Sequence, residues 1–81
     1  MTYKDILITV VSEATDTPEK QIRDIIDAFL KHHPKSLKVH KEVSQEEAEQ
    51  LLAALRKEKS QIRAWISEGG VEALFRHTGH A

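Results

Sequence analysis

The chain has no cysteine among its 81 residues. No disulfide can staple it and no thiolate can act as nucleophile or metal ligand, and the absence favours a cytoplasmic compartment. No apolar run reaches the ~18 residues that a membrane-spanning helix needs. The opening MTYKDILITVV carries one lysine before a short apolar run and then meets Glu13 and Asp16, which is not the pattern of a secretory signal. Neither sign of charge dominates: the formal net charge of −1 argues against a generic nucleic-acid coat. Catalytic signatures are lacking too. There is no nucleophile elbow and no His-Glu-x-x-His, and Gly69-Gly70 is not followed by the Lys-Ser/Thr of a phosphate loop. No enzyme and no cofactor is therefore expected. The five histidines do not form a metal-ligand pattern. His32 and His33 point about 100° apart on a helix, and Gly79 interrupts any helix joining His77 to His80.

Helical punctuation is abundant. Ile6, Leu7, Val10, Val11 and Ala14 share one helical face, which predicts a helix from Tyr3 to Ala14, although the β-branched run ILITVV also suits a strand. Thr17 is placed to cap a second helix, with Pro18 in its first turn and a stripe of Ile22, Ile25, Ile26, Phe29 and Leu30 ending near His33, before Pro34. Ser44 and Glu47 form a capping-box pattern ahead of Ala48, Leu51, Leu52 and Leu55. Between them, alternation over residues 37–43 predicts a short extended segment. In KSQIRAWISEGGVEALF, Ser60 is placed as a cap, Ile62, Trp65 and Ile66 make an inward face, and Gly69 supplies a left-handed stop. The same residues read as a strand put Ile62, Ala64 and Ile66 on one side. After Gly70, Val71, Leu74 and Phe75 make another helical face. Trp65, the one tryptophan, falls on an apolar stripe and is expected in the core.

Charge is segregated along the chain. Residues 1–30 carry net −3, residues 31–41 net +4, residues 42–51 net −4 and the remainder net +2. Local positive charge can meet phosphate whatever the net charge. On a helical 60–67, Gln61 and Arg63 point outward, the side-chain types that read adenine and guanine, with Lys57 and Lys59 near phosphates. Lys35 and Lys38 of the basic connector are further candidates.

Three resemblances follow from these residues. Residues 3–33 resemble the N-terminal helical hairpin of the HU/IHF histone-like family, with Leu7, Ile8, Val11, Glu13, Lys20, Asp27, Ala28 and Phe29 in register. That family's Gly-Phe-Gly strand signal and arginine-rich arm are missing here. The resemblance therefore implies dimer-forming packing through Ile22, Ile26 and Phe29 rather than DNA bending. Residues 55–75 look like the helix-turn-helix of bacterial transposases, matching at Ser60, Ile62, Trp65 and the run EGGVEAL. Residues 34–66 are similar to the ribosomal stalk protein C-terminal domain, a protein-binding module with strands at 37–43 and 61–67; the protease adaptor of the N-end-rule pathway has a related topology.

The expected fold is mainly α: one small domain of about five helices, with a helical hairpin at 3–33, a basic connector at 34–43, a helical second half at 44–77 and a frayed tail at 78–81. The alternative is α+β, the hairpin followed by strand–helix–strand. The expected function is a small, homodimeric, non-enzymatic DNA-binding or DNA-associated regulatory protein, with a protein–protein adaptor as the alternative. Extended geometry at 37–43 and 61–67 favours the adaptor; a helical 60–67 with exposed Gln61 and Arg63 favours DNA.

Overall fold

A computed structural model describes residues 1–33 and 38–78. Four helices follow in order: α1 (Tyr3–Thr15), α2 (Glu19–Lys31), α3 (Gln45–Arg56) and α4 (Lys59–His77). Among the described residues there is no strand, so the α+β alternative is not the architecture.

The α1 helix is central. It packs against α2, α3 and α4, while α2 also touches α4. Ile6, Leu7, Ile8 and Val10 are fully buried and Val11 is nearly so. A helix covered on several sides is apolar over most of its circumference, which is why ILITVV reads equally well as a strand. Its start settles the matter locally. The Thr2 hydroxyl accepts from the Asp5 N–H at 3.2 Å, and the Asp5 carboxylate accepts from the Thr2 N–H at 3.0 Å. This reciprocal capping box satisfies donors that the first turn would otherwise leave unpaired. The helix stops at Asp16, whose φ of 52° and ψ of 45° are left-handed, a conformation that Asp tolerates better than most residues.

Thr17 does not cap α2. Pro18, still extended at ψ 140°, occupies that position, and the Thr17 hydroxyl donates backwards to the Thr15 carbonyl at 3.2 Å. The amphipathic stripe of α2 then buries Ile22 and Ile26 and half-buries Phe29 and Leu30. The Phe29 ring meets Phe75 edge-on at 4.9 Å, tying α2 to the far end of α4.

The connector is not extended throughout 37–43. Residues 38–40 form one 3₁₀ turn that drives Val39 into the core. Only then does the chain run antiparallel to its own start. The Tyr3 N–H donates to the Lys41 carbonyl at 3.3 Å, the Val43 N–H donates to the Met1 carbonyl at 2.9 Å, and Thr2 and Glu42 form an isolated β-bridge. Leu37, expected in that segment, and residues 79–81 of the expected tail lie outside the described residues. Thr78 follows the end of α4, its hydroxyl donating to the Leu74 carbonyl at 2.9 Å.

Ser44 caps α3 as its sequence requires, accepting from the Glu47 N–H at 3.1 Å, but Glu47 does not return the bond and only half of the capping box forms. The α1 and α3 helices run parallel. The Met1 amino group meets Glu42 at 2.8 Å beside the start of both, and Arg56 grips Glu13 with two bonds of 3.0 and 3.1 Å near the end of both.

Lys57 and Glu58 turn the chain into α4, which is broken at Gly69 and Gly70 into arms 59–68 and 71–77. The described residues thus hold four helices, the last of them kinked, where about five were expected. Glu58, not Ser60, occupies the cap position of the first arm, and it makes no side-chain cap. The residue with positive φ is Gly70, at φ 67° and ψ −153°; Gly69 is at φ −146°. The bend is sharp. Trp65 and His77 lie twelve positions apart, about 18 Å on a straight helix, yet their rings stack at 4.7 Å and 5°. Ile62 from the first arm and Ala73, Leu74 and Phe75 from the second reach the core from either side of the bend. All four helices and Val39 contribute to one buried cluster.

Candidate functional site

Two surfaces of different character meet solvent. The first is the outer side of the 59–68 arm. Ile62 is fully buried and Trp65 and Ile66 are half-buried, so the arm lies with that edge on the core. Lys57, Lys59, Gln61 and Arg63 are all exposed. Helical geometry sorts them further. At about 100° per residue, Ser60, Ala64 and Ser67 fall along the centre line opposite Ile62, with Lys59 and Arg63 on one flank. Gln61 lies on the other flank, about 160° from Arg63. The arm thus presents a ridge of small side chains between two polar flanks.

Arg56 precedes this arm and is already paired within the chain. Its guanidinium is engaged by Glu13, whose carboxyl is held below the ordinary range first by that hydrogen bond. The side chains of Lys57, Lys59 and Arg63 make no ion pair or hydrogen bond within the described residues, although the charge of Lys59 helps to hold the Glu13 carboxyl down. Lys38 is exposed, but it precedes the start of α3 whereas Lys57 follows its end. Twelve helical residues, about 18 Å, separate those ends, so the basic connector and the α4 arm form separate patches. Lys35 lies outside the described residues.

The second surface is a groove of about 220 Å³ where the end of α1, the first half of α2 and the bend of α4 converge. Val11, Ile22, Ile25, Ile66 and Val71 give it apolar walls, and Thr15, Thr17 and Gln21 supply polar edges. Ile25 is 45 % exposed. An isoleucine that remains half in water at the wall of an apolar groove is a more informative feature than scattered surface leucines.

The residues expected to face a second copy have a different setting. Ile22 is 6 % exposed and Ile26 fully buried within this one chain, and Phe29 is turned onto Phe75. Ile22 and Ile26 of the α2 stripe are thus covered within one chain, while Phe29 and Leu30 stay half-buried. Ile25, at the edge of that stripe, is the member left exposed. Its edge position was visible on a helical wheel. What was not visible is that Ile66, Gly70 and Val71 would build the opposite wall.

Two histidines serve as flat partners for aromatic rings: His77 on Trp65, and His33 on Phe29 at 4.1 Å. Among the described residues no three His, Asp or Glu side chains gather as a metal site would require, and no helix is long and apolar enough to cross a membrane. No family model, no curated protein and no solved structure matches this chain.

Proposed function

We propose that this chain is a small, non-enzymatic DNA-binding protein that lays the 59–68 arm of α4 in the major groove. The observation that carries the reading is the arm itself. It is helical, its Lys59, Gln61 and Arg63 and the preceding Lys57 are exposed, and among the described residues none of the three cationic side chains forms an ion pair or hydrogen bond, the charge of Lys59 acting on Glu13 only at longer range. The roles follow from the flanks. The Ser60–Ala64–Ser67 ridge faces the groove floor, where small side chains permit close approach and serine or alanine can meet base edges and thymine methyls. Lys57 and Lys59 bind phosphates and set position. Arg63 on one flank and Gln61 on the other read base edges toward opposite walls, guanine and adenine being their favoured partners.

The test is a gel shift on duplex DNA over a salt series. Lys57→Ala with Lys59→Ala should weaken binding to all sequences alike and reduce the log–log salt slope by about 2, at roughly 0.9 per phosphate. Arg63→Ala should instead relax preference at one base pair, a contact worth about 1–3 kcal/mol of discrimination. Absence of duplex binding by the wild type at low salt would refute the reading. Wild-type behaviour of Arg63→Ala on every sequence would remove the base-reading role.

A further inference from the structure

We propose that the groove between α1, α2 and the α4 bend is a docking site for a basic amphipathic helix of a partner protein, which inserts one large apolar side chain against Ile25. This goes beyond the DNA reading: it uses the core-facing edge of that arm at Ile66, together with α1, α2 and the bend, and not the outer ridge. Size comes first. At about 220 Å³ the groove is smaller than the roughly 300–1,000 Å³ of typical small-molecule pockets. It suits a single anchoring side chain, the way helix-in-groove recognition concentrates its energy. The walls come next. Val11, Ile22, Ile25, Ile66 and Val71 come from three helices that share one core, so the cleft exists before anything enters it and little ordering cost falls on binding.

Charge selects the occupant. The exposed residues beside the lining positions are mostly acidic: Asp16 and Glu19 around Thr17, Asp24 beside Ile25, and Glu68 and Glu72 on either side of Gly70-Val71. None of the five has an ion pair among the described residues. The opposing cations are fewer. Arg23 is engaged with Asp5 at 3.4 Å, which leaves Lys20 and, one turn before Ile66, Arg63. An apolar cleft whose lining residues have mostly acidic exposed neighbours along the chain favours an apolar anchor flanked by Lys or Arg over an acidic helix. The same neighbours disfavour a second copy of this chain, because a symmetric contact through α2 would set like charges against each other.

The experiment uses the full chain, ¹⁵N-labelled, and synthetic helical peptides of about four turns with one leucine anchor stripe. One peptide is flanked by lysines, one by glutamates, and one keeps the lysines with alanine in place of leucine. The lysine–leucine peptide should bind about tenfold or more tightly than either control. Its shifts should centre on Ile25, Ile66, Gly70 and Val71. Ile25→Lys, at a position open enough to leave the fold intact, should abolish that binding, and Ile25→Leu should retain it. Equal binding of the lysine and glutamate peptides would overturn the proposal, as would shifts centred elsewhere or no binding by any peptide. Concentration-dependent shifts of the groove residues without peptide, with sedimentation at twice the chain mass, would overturn it in favour of a second copy. No DNA is present in any arm, so failure here and failure of the DNA reading are told apart.

Discussion

The bend of α4 depends on the handedness of one residue. Gly70 sits at φ 67° and ψ −153°, a region that L-residues with a side chain hardly enter. An ideal Cβ built there meets nothing within 4 Å, so the Gly70→Ala penalty is one of backbone strain and not of crowding. Such strain costs about 1–3 kcal/mol. For a domain of this size that corresponds to a fall in Tm of roughly 4–8 °C per kcal/mol. The assay is urea denaturation followed by the single Trp65, whose stacking on His77 bridges the bend and makes it a local reporter. The midpoint should fall with an unchanged slope. Chirality provides the control. Inverting the signs gives φ −67° and ψ 153°, an ordinary polyproline-like geometry, so a D-residue is at ease where an L-residue is strained. D-alanine at position 70, introduced by chemical synthesis, should recover most of what L-alanine loses. Equal loss for the two enantiomers would refute the strain argument, and so would an L-alanine variant as stable as the wild type.

Ser44→Ala should cost about 1 kcal/mol by leaving the Glu47 N–H without its acceptor, read as a lower urea midpoint. Ile62→Ala should cost about 2–5 kcal/mol because Ile62 is fully buried, whereas Ile25→Ala should cost about 1 kcal/mol or less at a 45 % exposed position; thermal unfolding of the pair separates core from groove. The Asp5 carboxyl is held below its ordinary range, first by the Thr2 N–H and then by the Thr2 hydroxyl and Arg23, against burial, which raises it. Its folded-state pKa is depressed, so its contribution is complete above the unfolded value of about 3.9 and is lost as pH falls through the lower folded value. Asp5→Asn should therefore flatten part of the acid limb of a stability–pH curve.

Local features that one turn of chain can satisfy were legible without coordinates. Ser44 announces α3 because a hydroxyl three residues before a free N–H needs nothing else to act. The face of Ile6, Leu7, Val10, Val11 and Ala14 reappears in the core because side chains on one side of a helix stay together wherever the helix packs. Pro18 and the glycine pair mark breaks through backbone geometry alone. The Thr2–Asp5 box is equally local, closed within three residues.

Tertiary structure decided the rest. Residues 38–40 coil instead of extending because Val39 finds a buried site there. The helical state of 61–67 rests on Ile62 reaching a core made by α1, α2 and α3, and period alone could not choose between it and a strand. The candidate site is the most tertiary feature of all. Ile25 becomes a groove wall only because the α4 bend brings Ile66 and Val71 across from it. Contacts between residues some forty positions apart have no local signature, since nothing in either segment alone records the other.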